Sequence, residues 1–269
     1  MLVIGEKINV MSKSIGPAMR ERNAQPIQEL AVAQYEAGAQ MLDVNLGPAT
    51  KGGPEMMKWV VETVQEVVPD ARLCLDTMNA EAMAAGLAVC KNRPMINSTS
   101  AERAKLEKFL PLAHTYEADI IGLAMTEKGI SRDANERVMA AAEIMGAMME
   151  FDVPFERLYL DPLLLPVGVA QAQAVEAMNA IAAFKELNDP PLKTVVGLSN
   201  IYNGCPAEVK PALASALLSM LLEVGLDAAI MDPLDADQMN AANGVKHPDF
   251  EKTAAILRNE TLYCHSFLD

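Results

Sequence analysis

The chain repeats one pattern along its length: a short apolar run of strand length precedes a longer segment with helical periodicity. Eight such pairs lie between Leu2 and Arg258, without a break in composition. Regular alternation of strands and helices favours a parallel sheet covered by helices. Eight units in 269 residues predict an α/β fold of the (β/α)8 TIM barrel type, which typically takes roughly 250 residues.

A doubly wound open sheet would produce a similar pattern, usually with fewer strands, but the chain has no Rossmann glycine fingerprint and no P-loop. We therefore expect a single barrel domain over residues 1–269, with an irregular stretch around Asn240–Pro248. The predicted strands are Leu2–Ile8, Gln40–Leu46, Arg72–Thr77, Met95–Thr99, Ile120–Met125, Leu158–Leu165, Thr194–Ser199 and Ala228–Met231.

Charge and composition argue against several classes of function. The 22 basic and 36 acidic residues give a formal charge of −14, which argues against binding to nucleic acid or to an anionic membrane surface. The apolar stretch Leu163–Phe184 is interrupted by Pro166 and by polar residues, so we expect no span of a bilayer. The four cysteines form no C-x-x-C pair and no signal peptide is visible, so we expect a reduced, cytoplasmic protein.

A carboxylate inside an apolar run is the most informative local feature. Asp161 is the one charged residue in the predicted strand Leu158–Leu165, and an isolated buried carboxylate is costly unless it is hydrogen-bonded. Pro162 follows directly and favours an extended backbone at Asp161, so Asp161 is not placed to cap a helix. We expect its partner to be a ligand rather than a neighbouring side chain.

Polar residues recur where the other predicted strands end. They are Glu6 and Asn9, Asp43 and Asn45, Asp76 and Thr77, Asn97 to Thr99, Ser199 and Asn200, and Asp232. In (β/α)8 barrels the active site lies at this end, and alternate residues such as Asp43 and Asn45 should point the same way. The simpler interpretation as helix N-caps stays open for Asn79, Ser100, Asp232 and Asp235.

The residue types at these strand ends indicate the kind of ligand. Carboxylates and amides supply acceptors and mixed donor–acceptor groups, with few fixed cations among them. Such a set suits a neutral heterocycle rich in N–H donors better than a phosphate ester, which would require lysine, arginine or a glycine nest. A guanidine-like edge could bind one carboxylate through two hydrogen bonds.

Four segments resemble the pterin-binding methyltransferases, and in particular the methyltetrahydrofolate:corrinoid protein methyltransferases. They are Leu75-Asp76-Thr77, Met95-Ile96-Asn97-Ser98-Thr99, Leu160-Asp161-Pro162 and Val196-Gly197-Leu198-Ser199-Asn200. The resemblance runs from Ile4 to Cys264. It implies a dihydropteroate synthase-like barrel, a homodimer, tetrahydrofolate and 5-methyltetrahydrofolate as substrates, and a methylcobalamin-type corrinoid carried by a partner protein.

The same resemblance implies roles for individual residues. Asp76, Asn97 and Asp161 would hydrogen-bond the pterin ring, and Asn200 would lie near N5, the atom that exchanges the methyl group. Strand-end positions and the matched motifs together add four residues to the expected folate site: Glu6, Asp43, Gly197 and Ser199.

The loop after Asn200 departs from the family pattern. Some relatives bear an arginine there that helps to hold the folate, and this chain has none between Ile201 and Glu208. Asn203 is our candidate to replace part of that folate-binding role. The departure favours an O-demethylase component that makes methyltetrahydrofolate over an enzyme that serves the corrinoid iron–sulfur protein. Dihydropteroate synthases are a further alternative. Their chemistry requires a cationic segment at the seventh strand, and this chain has the uncharged Ser199-Asn200-Ile201 at that place.

Other chemistries find less support. The three histidines lie in no ligand pattern, so we expect no metal site. Neither Cys205 nor Ser199 has a sequence context that would activate it as a nucleophile. A non-catalytic folate-binding protein, with the same ring of polar residues but no corrinoid partner, remains an alternative to the enzyme.

Overall fold

Eight parallel strands close into a barrel in the computed structural model, which describes residues 1–268. The predicted (β/α)8 fold is confirmed. The barrel strands are Leu2–Asn9 (β1), Met41–Gly47 (β2), Arg72–Thr77 (β3), Met95–Ser100 (β4), Asp119–Leu123 (β5), Leu158–Asp161 (β8), Lys193–Gly197 (β9) and Ala228–Met231 (β10). A small antiparallel hairpin, Met125–Thr126 (β6) and Gly129–Ile130 (β7), follows β5.

Helices surround the barrel and connect its strands. They are Ile15–Arg20 (α1), Ala24–Glu36 (α2), Gly53–Val67 (α3), Ala80–Leu87 (α4), Arg103–Thr115 (α5), Ala134–Glu150 (α6), Val167–Ala170 (α7), Gln173–Lys185 (α8), Lys210–Glu223 (α9), Ala236–Ala242 (α10) and Phe250–Leu257 (α11). No helix within residues 1–268 is both long enough and apolar enough to cross a membrane.

Local sequence explains several helix starts. Asn79 accepts hydrogen bonds from two backbone N–H groups at the start of α4, and Asp235 does the same for α10, as the N-cap interpretation predicts. Ser100 and Asp232 cap no helix: Ser100 bonds the Glu102 side chain, and Asp232 pairs with Lys7. Part of the predicted irregular stretch Asn240–Pro248 is therefore helical, because the Asp235 cap begins α10 and the helix runs on to Ala242.

The predicted strand Leu158–Leu165 is too long. Strand β8 ends at Asp161, because Pro162 has no N–H for the ladder and the Leu163 N–H turns back to Asp161 Oδ1 at 2.7 Å. Leu163 also adopts a left-handed backbone conformation, with φ of 68°. The chain therefore leaves the sheet at the carboxylate, which places Asp161 at the mouth of the barrel.

The barrel interior is built in layers. One apolar side chain from each strand forms a buried cluster: Ile4, Met41, Cys74, Met95, Ile121, Tyr159, Val195 and Ala228. Below it, the Arg72 guanidinium pairs with the buried Asp119 carboxylate at the amino-terminal ends of β3 and β5. Because side chains alternate along a strand, the residues two positions after the apolar layer must also point inward. They form the next layer towards the carboxyl ends of the strands.

Candidate functional site

That next interior layer is the floor of a cleft of about 760 Å³ at the carboxyl ends of the strands. We call its eight members the floor layer: Glu6, Asp43, Asp76, Asn97, Leu123, Asp161, Gly197 and Ile230. Ser199 and Asn200 line the cleft above them. The structure thus brings together every residue predicted for the folate site except Asn203, which lies outside the lining residues.

Two carboxylate–amide pairs occupy the β2–β4 side of the floor. The Asn97 Nδ2 donates to Asp43 Oδ1 at 3.2 Å, and the Asn45 Nδ2 donates to Asp76 Oδ2. Asp43 and Asn45 share one face of β2, as their parity predicts. The Cys74 thiol hydrogen-bonds Asp43 from the apolar layer below. Each carboxylate is therefore held in place while part of its acceptor capacity stays directed at the cleft.

Asp161 has more support from the protein than the sequence indicates. Its Oδ1 accepts the Leu163 N–H, and the positive charge of Arg137 lies close enough to favour its ionised form. Arg137 is fully buried; it donates from Nε to the Pro162 carbonyl at 2.6 Å and from Nη2 to Gln173 Oε1 at 2.8 Å. We expected a ligand rather than a neighbouring side chain as the partner of Asp161; the structure adds a backbone N–H and a nearby positive charge. Within residues 1–268, Oδ2 accepts no hydrogen bond.

Glu6 lies on β1, between β2 and β10. The Ser199 hydroxyl hydrogen-bonds its carboxylate, which links β1 to the segment after β9. Lys7, also in the cleft lining, points its ammonium at Asp232 Oδ2 at 2.6 Å. The positive charge of Lys7 is therefore already paired with a carboxylate, and the ligand-facing surface remains acidic.

Asn200 lies at the rim rather than on a strand. Strand β9 ends at Gly197, and Leu198–Tyr202 forms a 3-10 turn that carries the Asn200 side chain over the cleft. The Asn203 Nδ2 donates to Asn200 Oδ1 at 3.4 Å. The Asn200 Nδ2 approaches Gly197 so closely that a Cβ there would lie 3.0 Å from it. Asn203 therefore orients the Asn200 amide, and Gly197 provides the space for its NH₂ group.

Burial raises the pKa of every carboxyl group in the floor layer. The pKa of Glu6 is raised to about 7 and that of Asp161 to about 7, in both cases mainly by burial. Burial also raises the pKa of Asp76 to about 6, and burial together with the neighbouring Asp76 raises that of Asp43 well above its usual range. Full ionisation of all four groups in one cavity is unfavourable.

This arrangement can bind a flat heterocycle in more than one hydrogen-bonding pattern. An ionised carboxyl accepts hydrogen bonds from ligand N–H groups, a protonated one donates, and the amides do both. A ligand with several N–H donors would relieve the unfavourable burial of these charges. No group of three or more His, Cys, Asp or Glu side chains within residues 1–268 is arranged to hold a metal ion.

The sequence-based prediction of the site missed two cationic residues. It also recognised one amide residue as a strand end without assigning it to the site. Lys7 and Arg137 are not in the predicted site; Asn45 was recognised as a strand end but not included. Lys7 follows Glu6 directly in the predicted first strand, and that adjacency was a signal that could have found it. Arg137 lies in the middle of α6, and nothing in its sequence context points to Asp161, which is distant along the chain.

Comparisons with known proteins agree on the family and the fold. A family profile described as "Pterin binding enzyme" matches residues 5–232. The methylcorrinoid:tetrahydrofolate methyltransferase of Eubacterium limosum is 28% identical over 243 residues, which cover 90% of this chain and 88% of that protein. The methionine synthase of Mycobacterium tuberculosis is 27% identical over 244 residues, and the match covers 86% of this chain but 20% of that protein.

Solved structures share the barrel. The dihydropteroate synthase of Xanthomonas albilineans with 4-aminobenzoic acid superposes with a TM-score of 0.69 at 20% identity, covering 90% of each chain. A Yersinia pestis DHPS with a pterine-sulfa conjugate has a TM-score of 0.64 at 16% identity, covering 96% of this chain and 93% of that one. At such identities the likeness concerns the fold.

We predict that the ligand-free protein becomes more stable as the pH falls from about 8 to about 5.5. Folded Glu6 and Asp161 have a pKa of about 7 and Asp76 of about 6, whereas unfolded carboxyls titrate near about 4. Between these values the folded chain binds more protons than the unfolded chain, so the free energy of unfolding decreases as the pH rises.

Thermal unfolding midpoints measured across this range test the prediction. Asp161→Asn removes one of the titrating groups, so its midpoint should vary less with pH than that of the wild type. A wild-type midpoint that falls steadily on acidification from about pH 8 to about pH 6 would contradict the raised pKa values.

Proposed function

The chain belongs to the pterin-binding enzymes, and from that premise we propose that it transfers a methyl group between the cobalt of a corrinoid protein and N5 of tetrahydrofolate. The folate would be a substrate held in the cleft, and the corrinoid would be carried by a separate partner protein. Similarity to the Eubacterium limosum methylcorrinoid:tetrahydrofolate methyltransferase over 90% of this chain supports both halves of the reaction.

The observation that carries the proposal is the hydrogen-bonding chemistry of the floor layer. Four carboxyls and an amide face one cleft, and the lysine in its lining is paired with Asp232. A pterin presents an amino-pyrimidine edge of N–H and NH₂ donors. The two carboxylate oxygens of Asp161 can each accept one hydrogen bond from that edge, with Oδ1 also keeping its bond from the Leu163 N–H. Asp76 on β3 and Asn97 on β4 would bind the remaining ring nitrogens.

The chemistry requires little covalent participation by the protein. When N5 of tetrahydrofolate attacks a methyl group on cobalt, the N–CH₃ bond forms as the Co–CH₃ bond breaks; the electron pair stays on cobalt as Co(I), and N5 loses its proton. Positioning of the reacting atoms supplies most of the rate in such a displacement. The Asn200 amide, held by Asn203 over Gly197, would stabilise charge that develops at N5.

The proton released from N5 also needs an acceptor, and an amide cannot store one. Glu6 is the carboxyl of the floor layer that hydrogen-bonds Ser199, the neighbour of Asn200. With a pKa of about 7, it can hold or release a proton near neutral pH. We assign Glu6 this supporting role in the proposed reaction.

We further propose that the enzyme forms methyltetrahydrofolate from a methylated corrinoid protein of an O-demethylase system. The loop after Asn200 lacks the arginine of some relatives, and the name of the Eubacterium limosum protein gives methylcorrinoid and tetrahydrofolate as its reactants. The similarity to methionine synthase leaves the opposite direction as the alternative. We also propose a homodimer, which sedimentation equilibrium would test.

A cobalt absorbance assay tests the proposed function. Incubation of the protein with methylcobalamin, or with a methylated corrinoid protein, and tetrahydrofolate should convert the methyl–cobalt spectrum to that of Co(I) and produce methyltetrahydrofolate. The same assay started from methyltetrahydrofolate and a Co(I) corrinoid measures the rate of the reverse reaction. Tight folate binding without turnover on any methylated corrinoid protein would instead identify a non-catalytic folate-binding protein.

Asp161→Asn should weaken tetrahydrofolate binding by about 2–4 kcal/mol, because buried ligand donors lose a charged acceptor. Isothermal titration calorimetry under anaerobic conditions would measure the loss. Asp235→Asn is the matched control: Asp235 caps α10 outside the cleft lining, and asparagine caps equally well. Unchanged affinity in Asp161→Asn together with a large drop in melting temperature would identify Asp161 as a structural residue.

Asn200→Ala should raise the activation free energy of methyl transfer by about 2 kcal/mol, which slows the step about 30-fold. The reason is that the Asn200 contact to the charge developing at N5 is made chiefly in the transition state. Folate affinity should change much less. Single-turnover kinetics at saturating tetrahydrofolate separate the two effects, and Asn203→Ala, which removes only the orienting amide, should slow the step less. A wild-type rate constant in Asn200→Ala, with only the half-saturation concentration raised, would remove the catalytic role.

A further inference from the structure

Strand β1 contains a β-bulge where it reaches the cleft. Gly5 pairs with Leu42 of β2 and Ile8 pairs with Val44, so three steps along β1 match two steps along β2. One residue is therefore extra on β1, and the alternation of its side chains changes phase there. Ile4 belongs to the apolar layer inside the barrel, whereas Ile8, four positions later, is buried with Val44 in the core between strands and helices.

The bulge places two consecutive side chains at the cleft. Glu6 and Lys7 both line it, although a regular strand would send them to opposite faces of the sheet. The Lys7 ammonium pairs with Asp232 at 2.6 Å, and its charge favours the ionised form of Glu6. A carboxyl and a cation that are adjacent in sequence can therefore act on the same cavity only while the bulge is present.

The bulge also takes the Lys7 backbone out of the sheet. Within residues 1–268, Lys7 has no partner in the register of β1 with β2 or with β10. Its N–H donates instead to Gln34 Oε1 at 3.0 Å. Gln34 lies on α2 and is fully buried. A backbone N–H that leaves the ladder needs another acceptor, because an unpaired one destabilises the folded state.

Two further observations concern the fit of Gln34 against the strand. A Cβ at Gly5 would lie 2.6 Å from Gln34 Oε1, so the missing side chain is what lets the amide approach β1. Gln34 Nε2 is buried and has no hydrogen-bond partner within residues 1–268. An unpaired buried polar group is unfavourable, and leucine or methionine would fill similar space without one. The acceptor at Oε1 therefore explains a glutamine at this position better than the filling of space does.

The geometry points to Gln34 as a positioning residue for methyl transfer, which holds the β1 bulge and thereby keeps Glu6 and Lys7 together in the cleft. This inference rests on the proposed function, because the role of Glu6 as acceptor of the N5 proton belongs to it. Gln34 is not among the residues that line the cleft; it acts through the backbone N–H of Lys7. Without that acceptor, a regular β1 would turn Lys7 towards α2, and Glu6 would lose a nearby cation.

The groups around Glu6 decide the direction of the resulting change. Burial is the main cause that raises the pKa of Glu6 to about 7; the charge of Asp232 also raises it, whereas the Ser199 hydroxyl and the charge of Lys7 lower it. Two more groups interact with the charge of Glu6: Asp43 on β2 and Tyr202 in the turn after β9. Lys7 is the cation of this set, so its loss from the cleft should raise the pKa of Glu6 further.

Gln34→Met tests the inference, because methionine has a similar shape but only a weak acceptor. The single-turnover rate of methyl transfer from a methylated corrinoid protein to tetrahydrofolate should increase with pH through the pKa of Glu6, about 7. In Gln34→Met this increase should move to higher pH, and the rate at about pH 6.5 should fall about 5- to 10-fold because less of Glu6 is ionised. Tetrahydrofolate affinity, measured by calorimetry, should change by less than about threefold.

Gln65→Met is the matched control. Gln65 is another buried glutamine on a helix, α3, and its Oε1 likewise accepts a lysine backbone N–H, that of Lys91, at 2.6 Å. It lies outside the cleft lining. Gln65→Met should lower the melting temperature about as much as Gln34→Met does, but it should leave the rate and its pH dependence unchanged. A wild-type pH dependence in Gln34→Met, a shift to lower pH, or the same kinetic change in Gln65→Met would overturn the inference.

Gly5→Ala is a second variant, which leaves Gln34 in place. The added Cβ would displace the Gln34 amide from the Lys7 N–H, so the same shift to higher pH should appear even if Gln34→Met folds poorly. A wild-type rate and pH dependence in Gly5→Ala would also overturn the role of Gln34. Absence of methyl transfer by the wild-type protein would instead overturn the proposed function itself, and this role with it.

Discussion

The two-residue alternation of side chains along a strand is the constraint on which this site depends. In a closed barrel every strand must send alternate residues into the same interior, and eight strands therefore build that interior in layers. Here the apolar layer from Ile4 to Ala228 fills the barrel and excludes water. The floor layer stands directly on it. The carboxyls are consequently rigid and poorly solvated at once, which is the condition under which hydrogen bonds to a ligand are strongest.

Poor solvation makes the empty site unfavourable, and the protein compensates for this only in part. Asp161 receives a backbone N–H and the field of the buried Arg137, Asp76 and Asp43 receive amide donors, and Glu6 receives a hydroxyl. These contacts orient the carboxyls but compensate only in part for the burial of their charged forms, since the pKa values stay raised. A ligand that supplies several N–H donors completes the compensation. The same incomplete pairing that destabilises the free protein therefore favours binding.

The sequence was sufficient to predict the parts of this structure that depend on local patterns. Strands β3 and β10 have the predicted bounds. The polar members of the floor layer, Glu6, Asp43, Asp76, Asn97 and Asp161, could be recognised as strand ends. The limits appear where a distant partner decides the outcome. Strand β8 stops at Asp161 because of a side chain-to-backbone turn. Arg137 supports Asp161 from α6, 24 positions earlier in the chain. Neither the turn at Asp161 nor the support from Arg137 leaves a trace in the hydrophobic periodicity of the sequence.

Asn200 shows why the break in alternation matters as much as the alternation itself. If β9 continued beyond Gly197, Ser199 would point into the barrel and Asn200 outward, away from any ligand. The 3-10 turn at Leu198–Tyr202 instead brings both side chains to the cleft, and the absent side chain at Gly197 leaves room for the Asn200 amide. In the proposed reaction, the floor layer would hold the planar ring from below, and Asn200, which lies outside the strand register, would act at the rim. A barrel that bound its ligand only through strand residues could recognise a pterin, but it would have no polar group placed where an incoming corrinoid meets it.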